Sequence, residues 1–314
     1  MPFLALDDWR WQGLAGSAPQ LQSLTISTEC VAQPLDDCGF MACFPWTQLT
    51  SLDMLHTPLN ADIWHEILRQ CAHLRVGNFT IQSNPAYINQ RVITLLPLRS
   101  LTIRFQSEFR ARFFDATVFH LVSFPALEAL RITARLDRAD STSFVHWMQR
   151  QSRHIRSLTL DIQLADDILL DILRDHADLH ELTLHFHYGA ARQSRFFSRA
   201  SQDGLLRALR TLIIFGGIDY DTVGGTSSRA SFHIGAVSDL VKTATTWAAL
   251  GPKDNWEFQL FATHEILFAV REGLLQVDSN LAIVSYVIPP PSGLERYHPR
   301  YPTTTSIRVR RRYS

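Results

Sequence analysis

The sequence lacks an apolar run long enough to cross a membrane as a helix, and it favours neither sign of charge. No stretch approaches the ~18 apolar residues of a membrane span, and Phe3 to Leu6 form too short a patch for a signal peptide. The 30 basic residues balance 30 acidic ones, so no global field attracts nucleic acid or an anionic membrane. We therefore expect a cytoplasmic or nuclear protein without a membrane or nucleic-acid partner.

Cysteine is scarce in this chain of 314 residues. Its four thiols belong to Cys30, Cys38, Cys43 and Cys71. They form no Cys-x-x-Cys pair and have no matched histidine pair, which a zinc site would require. We favour reduced thiols in the cytosol or nucleus, and a disulfide or a zinc site is the alternative.

The common catalytic motifs are also missing. His65-Glu66 and His264-Glu265 lack the second histidine of the zinc-protease motif. Gly216-Gly217 and Gly224-Gly225 lack the Gly-Lys-Ser/Thr ending of a phosphate-binding loop, and neither Gly-x-Ser-x-Gly nor Gly-x-Gly-x-x-Gly occurs. We therefore predict a protein that is not an enzyme, with no catalytic residue, no metal site and no cofactor.

A hexapeptide motif, Leu-x-x-Leu-x-(Leu/Ile), recurs along residues 21–215. Its copies begin at Leu21, Leu49, Val76, Leu98, Leu127, Ile155, Leu179 and Leu209. The copy at Val76, which reads Val-Gly-Asn-Phe-Thr-Ile, is degenerate. Successive copies begin 22 to 30 residues apart, close to the leucine-rich-repeat period of roughly 20–29 residues.

Each copy predicts a strand, and a helical stretch follows several of them. Alternate residues of a strand point to opposite sides, so the fourth and sixth positions of the motif face inward. Helical spacing of apolar residues follows at 60–71, around Phe144 and Met148, and at 166–174. Strand, crossover helix and parallel strand together predict an α/β leucine-rich-repeat solenoid, with strands on the concave face and helices on the convex face.

The third, fifth and seventh positions line the outer side of the predicted sheet. Most of them are Ser or Thr, which suit strands, so the charged exceptions are more informative. We predict that these exceptions form a partner-binding site on the concave face: Arg104, Arg131, Asp161, Glu181, His185 and His187. The two arginines should lie about one strand spacing apart, roughly 5 Å, and the face should run from basic to acidic and then to imidazole.

Histidines around residue 180 allow another interpretation of the same strand. His185 and His187 share a face, and His176 and His180 precede them, with acidic neighbours. Two imidazoles on one face bind zinc when a third ligand is present. We favour exposed polar residues on a sheet surface.

The chain changes character after residue 215. We predict a solenoid at 1–215 and, at 216–314, irregular terminal repeats or a capping region. A glycine-rich loop at 216–231 is followed by helical spacing at 237–248, a helix or mixed segment at 258–270, and a β-rich stretch from Leu281 to Ile288. The basic end, Arg308 to Arg312, is a solvated tail or, alternatively, a nuclear-import or anion-binding patch.

Two stretches carry a family resemblance. Residues 18–26 read Ala-Pro-Gln-Leu-Gln-Ser-Leu-Thr-Ile, and residues 124–132 read Phe-Pro-Ala-Leu-Glu-Ala-Leu-Arg-Ile. These stretches, with the aromatic helical stretch at 63–68, resemble the leucine-rich-repeat portion of fungal F-box proteins. In that family an N-terminal F-box docks onto the Skp-type adaptor of a cullin ubiquitin ligase, and the repeats hold the substrate.

The resemblance implies a protein substrate on the concave face. No F-box-like Leu-Pro-x-Glu segment precedes Leu21, so we expect a fragment that binds a Skp-type adaptor only if an F-box is present upstream. The leading function is thus the substrate-recognition part of an F-box-like adaptor. The alternative is an interaction or inhibitor protein of the ribonuclease-inhibitor type, unrelated to ubiquitin. A remote alternative is a C-terminal hydrolase that uses His233 or His264, for which no matched nucleophile is evident.

Overall fold

The computed structural model divides the chain into two compact units. These are Met1–Ile155 and Arg156–Ser314. The structure describes residues 20–27, 41, 44–83, 92–105, 118–119, 121–134, 141–151, 153–162, 164, 166–186, 196, 199–200, 203–205, 208–216, 257–262, 272, 281–288 and 304–311.

The first unit contains a parallel sheet. Its described elements are β1 (Ser23–Ser27), a 3-10 helix (Trp46–Gln48), β2 (Ser51–Asn60), α1 (Ala61–Gln70), β3 (Val76–Ser83), β4 (Ile93–Thr94), β5 (Ser100–Phe105), β6 (Val122–Ser123), β7 (Ala129–Ala134) and α2 (Ser141–Arg150). The sheet has the order β1–β2–β3–β5–β7, and every neighbouring pair is parallel. The short strands β4 and β6 form a separate parallel pair.

The second unit has a mixed sheet. Its described elements are β8 (Ser157–Asp161), α3 (Asp166–Asp175), β9 (Glu181–Phe186), β10 (Thr211–Gly216), β11 (Glu257–Ala262), β12 (Leu281–Ile288) and β13 (Thr304–Arg311). Strands β8, β9, β10 and β11 are parallel neighbours in that order. Strand β13 pairs antiparallel with both β11 and β12. The chain is therefore an α/β protein with extensive parallel pairing.

The helices lie where the spacing of apolar residues predicted them, and α1 begins directly after Asn60. Strand β12 has the bounds of the predicted β-rich stretch. Two predictions for the C-terminal region are corrected. Residues 257–262 form a strand that pairs with β10, and the arginine-rich end lies in β13, between two strands, so it is not a free tail. Gly216, the first residue of the predicted glycine-rich loop, is the last residue of β10. The rest of that loop and the predicted helix at 237–248 lie outside the described residues.

Six fourth-position leucines are buried, as predicted, while Leu24 of the first copy is half-buried. Their exposed fractions lie between 0% and 2%. The set is Leu52, Leu101, Leu130, Leu158, Leu182 and Leu212. The register places Leu101 opposite Leu130 in the first unit, and Leu182 opposite Leu158 and Leu212 in the second. Removing one such side chain costs about 2–5 kcal/mol of stability.

A repeated backbone contact fixes this register. The carbonyl of Gln22, at the second motif position, accepts hydrogen bonds from the N–H groups of Thr50 (2.8 Å) and Ser51 (3.0 Å) in the next copy. In other copies the backbone carbonyl at the second position likewise accepts two N–H hydrogen bonds from the next copy. These carbonyls belong to Thr50, Arg75, Arg99, Arg156 and His180. Because a slip by one residue would turn every inward leucine outward, this contact and the buried leucines specify the same register.

One copy of the motif begins two residues earlier than the sequence suggested. The register pairs Val76 with Ser51 and Ser100, which are third-position residues. The copy therefore begins at Leu74, and Gly77 occupies the fourth position. A Cβ atom on Gly77 would lie 2.7 Å from Cε2 of Phe79, so the phenyl ring fills the space of the missing leucine.

We expect Gly77→Ala to destabilise the first unit. In open space, alanine would stabilise a strand residue by about 0.4–1 kcal/mol through the unfolded chain. Here the new methyl group must displace the Phe79 ring, which Trp64 packs against edge-on at 6.2 Å between ring centroids, so we expect a loss of about 1–3 kcal/mol. Urea unfolding of the variant measures the sign.

The double variant Gly77→Ala/Phe79→Leu serves as the control for this prediction. Leucine lacks the aromatic edge that the new methyl group meets, so the double variant should be more stable than the sum of the two single changes predicts. Additive effects, or a stabilising Gly77→Ala, would contradict the proposed competition for space.

Candidate partner-binding face

The polar face of the first unit is the side of its sheet that carries the third, fifth and seventh motif positions. Along the fifth position the register runs across all five strands, in the order Thr25, Asp53, Asn78, Thr102 and Arg131. Each of these side chains is partly or fully exposed, whereas the flanking fourth and sixth positions are buried in β2, β3, β5 and β7. We call these five residues the fifth-position row.

Arg104 and Arg131 both lie on the polar face and are exposed, as predicted. Neither forms an ion pair with any acidic residue of the described ranges. Arg99, by contrast, pairs with Glu128 outside this face. The two arginines are therefore the unneutralised cations of the polar face, as far as the structure describes it.

The predicted separation of the two arginines is corrected by the register. Arg131 lies opposite Thr102, and Arg104 lies opposite Thr133. The two are thus diagonal neighbours, offset by one strand and by two residues along the strand. This offset corresponds to about 8 Å between their Cα atoms, compared with the roughly 5 Å expected for directly opposite residues.

The same row contains an acid–amide pair that the sequence did not reveal. Nδ2 of Asn78 donates to Oδ2 of Asp53 at 3.0 Å. The other carboxylate oxygen of Asp53 accepts from the backbone N–H of Leu55 at 3.1 Å. If the third copy of the motif began at Val76, as the sequence suggested, Thr80 would occupy the fifth position. The observed register instead places Asn78 at the fifth position, opposite Asp53. A motif beginning at Leu74 would have predicted this pair.

A bulge in β2 lies directly after Asp53 of the fifth-position row. The register of β2 and β3 shifts between Met54 and Pro58, so Leu55–Thr57 leave the ladder. The Thr57 hydroxyl donates to the carbonyl of Ile26 at 3.0 Å, and the Thr80 hydroxyl donates to the carbonyl of Leu55 at 2.6 Å. These bonds hold the bulge to both neighbouring strands, and bulges of this kind commonly re-aim side chains near functional sites.

The second unit carries the acidic and imidazole residues of the predicted site. Nδ1 of His185 lies 3.6 Å from Oδ1 of Asp161, and their side chains are 22% and 19% exposed. Glu181 is half-buried at the start of β9, where the register pairs it with Ser157 and Thr211. Asp161 and His185 are therefore neighbours, close enough to pair when the imidazole is protonated. His187 lies outside the described residues.

The cysteines and the histidines His233 and His264 are either buried or outside the described ranges. Within those ranges, no three His, Cys, Asp or Glu side chains form a group that could hold a metal ion. Burial raises the pKa of the Cys71 thiol to about 12, which makes it a poor nucleophile at neutral pH. Cys30, Cys38, Cys43, His233 and His264 lie outside the described residues.

His176 is a buried base in the second unit. Its side chain is 2% exposed, and neither ring nitrogen has a hydrogen-bond partner among the residues that the structure describes. Burial lowers the pKa of His176, although neighbouring Asp175 acts in the opposite direction. In the first unit, burial also lowers the pKa of His65, whose Nε2–H donates to the Val118 carbonyl at 3.1 Å.

Comparison with known proteins leaves the family of this chain open. A scan against protein-family models finds no match, and a search of curated proteins finds no relative. No helix within the described ranges has the length and apolar character to cross a membrane.

We expect the free energy of unfolding to fall as the pH drops below about 6.5. The unfolded chain then protonates its histidines at their ordinary pKa, about 6.5, whereas buried His65 and His176 resist protonation until lower pH. Because the unfolded state binds more protons in this window, stability rises with pH there. Chemical denaturation between about pH 5 and pH 7 measures this slope, which should be smaller in His176→Leu.

The exposed His73 provides the matched control for this prediction. His73→Gln should leave the slope near the wild-type value, since this side chain is in contact with water in both the folded and the unfolded state. An unchanged slope in His176→Leu would contradict the assignment of His176 as a buried neutral base.

Proposed function

We propose that this chain is a non-enzymatic leucine-rich-repeat scaffold that binds a protein partner, as the substrate-recognition part of an F-box-like adaptor for a cullin ubiquitin ligase. The observation that carries the binding half of the proposal is the open polar face of a parallel sheet. All-parallel sheets usually have both faces covered. Here one face buries the leucines, while the fifth-position row is partly or fully exposed.

The leucine-rich-repeat part of the proposal draws on the regular register. Corrected for Leu74, the copies begin at residues 21, 49, 74, 98, 127, 155, 179 and 209, which gives steps of 24 to 30 residues. Each copy contributes one strand, and the same carbonyl contact recurs between copies. Repeat proteins of this kind commonly present an extended surface on their strands.

Arg104 and Arg131 would anchor the partner. Arginine is enriched at the energetic centres of protein interfaces, since its planar group donates several hydrogen bonds and its stem buries apolar area. Both residues stand on a hydrogen-bonded sheet, so the spacing of their Cα atoms is set before binding. Holding the anchors in place in this way reduces the entropy lost on association.

The ubiquitin half of the proposal draws on the resemblance to fungal F-box proteins. In it, residues 1–314 supply substrate recognition, and a Skp-type adaptor is engaged only through an F-box upstream. The setting would be the cytoplasm or nucleus. In the second unit, Asp161, Glu181 and His185 are proposed as acidic and imidazole contacts for a partner.

We expect the double variant Arg104→Ala/Arg131→Ala to lose partner capture. A partner identified by affinity purification and mass spectrometry should bind about 5- to 30-fold more weakly to the variant, the range that follows from losing interface anchors. The thermal midpoint should stay nearly unchanged, because exposed sites seldom contribute to stability. Biolayer interferometry and thermal unfolding measure the two quantities.

Arg150→Ala/Arg153→Ala is the matched control for partner capture. It removes the same charge from exposed positions of the same unit, at and beyond the end of α2, so it should bind like the wild type. If capture survives the loss of Arg104 and Arg131, the polar face of the first unit is not the binding site.

The ubiquitin half predicts that the captured partner is degraded. Its level in the source cells should rise when the gene for this chain is disrupted, and also when cullin modification is blocked. An inhibitor-type repeat protein would instead leave the partner's level constant while changing its activity. Quantitative immunoblotting under both treatments decides between them.

A further inference from the structure

We propose that the polar face of the first unit selects an extended partner segment that carries an acidic and a basic residue four positions apart. The acidic residue would lie between Arg104 and Arg131, and the basic residue would lie on Asp53. This inference rests on the proposed function and specifies the chemistry of the partner.

The spacing follows from the fifth-position row. Asp53 and Arg131 are three strand intervals apart, which corresponds to about 14 Å across a sheet with strands ~4.8 Å apart. An extended segment that crosses the strands advances about 3.3 Å per residue, so four residues span about 13 Å. Residues four apart in an extended chain also point to the same side. Both charged side chains can therefore face the sheet at once.

The arginine end of the row suits a carboxylate. Arg104 and Arg131 are exposed diagonal neighbours, with Cα atoms about 8 Å apart, so their long side chains can converge on one group between them. Guanidinium groups form charge-assisted, often paired hydrogen bonds with carboxylates. Within the described ranges no acidic side chain neutralises either arginine, which leaves both available to an acidic residue of the partner.

The Asp53 end of the row suits a cation. The hydrogen bonds from Asn78 and from the Leu55 N–H hold the carboxylate in place, but both donors are neutral, so its charge is not cancelled. No basic side chain of the described ranges pairs with it. An acidic residue placed there would be repelled, whereas a lysine or arginine of the partner would be attracted.

The middle of the row is neutral. Asn78 and Thr102 separate Asp53 from Arg131, and both side chains are partly exposed. The partner residue midway between the two charges would face them, so a small polar side chain fits there best. The complete pattern is therefore a base, a spacer, a small polar residue, a spacer and an acid, read in either direction along the partner.

Selection from a displayed library of random dodecapeptides tests this inference. With the full chain immobilised, the selected peptides should be enriched in acid–base pairs four positions apart relative to the starting library. Selection on Asp53→Asn should retain the acid and lose the preference for the base. Selection on Arg104→Gln/Arg131→Gln should retain the base and lose the acid. Arg150→Gln/Arg153→Gln should select the same peptides as the wild type.

Each variant preserves hydrogen-bonding groups, so the fold should survive. In Asp53→Asn the new amide oxygen still accepts the Leu55 N–H, and the new amide nitrogen can donate to Asn78 once the Asn78 amide flips. A peptide selected on the wild type should bind about tenfold more weakly to this variant, the ratio expected for losing one hydrogen bond between charged groups. Enrichment without the four-residue spacing, unchanged enrichment in the arginine variant, or a library that yields no binder would each overturn the proposal.

Failure of this inference is distinguishable from failure of the proposed function. Suppose that Arg104→Ala/Arg131→Ala abolishes capture of the cellular partner while peptide selection shows no preferred order of charges. The polar face is then still the binding site, and the partner binds through a folded surface and not through an extended segment. If capture survives that double change, the face itself is refuted.

Discussion

The register of the parallel strands is the constraint on which the rest of this structure depends. Carbonyl groups such as that of Gln22 accept two N–H donors from the next copy of the motif, and this aligns leucine with leucine, as in Leu101 and Leu130. A shift of one residue would expose the buried row and bury the polar one, because side chains alternate along a strand. The polar row is therefore specified by the same contacts that hold the core.

The spacing of hydrophobic residues along the sequence made most of the strands and helices predictable. The strands follow from alternation around the motif, and α1, α2 and α3 follow from apolar residues at helical spacing. Strand β11 was missed because the motif leucine ahead of Phe258 is replaced by Asn255. Charge alone suggested a solvated tail at residues 308–312. The alternation of Thr, Ile and Val within Thr304–Arg311 suits a strand, however, and this strand pairs with β11 and β12.

The candidate site was predictable only as far as side-chain direction. A period of two is enough to place Arg104 and Arg131 on one face, whereas their diagonal offset depends on the pairing of neighbouring strands. The Asp53–Asn78 hydrogen bond was hidden because Gly77 replaces the leucine that would have revealed the register. Gly77 can be recognised as a fourth-position residue only in the structure, where the Phe79 ring occupies the volume that a leucine would fill.

Separation of the two faces explains how such a chain can acquire a binding preference without losing its fold. The buried row tolerates change only when total volume is preserved, as Gly77 and Phe79 show together, because interiors are packed to high density. Exposed residues such as Arg131 contribute little to stability, so they can change charge freely. The sheet meanwhile holds their backbone positions fixed. Under the proposed function, a single substitution in the fifth-position row would therefore change which partner is favoured, while the spacing of the row stays the same.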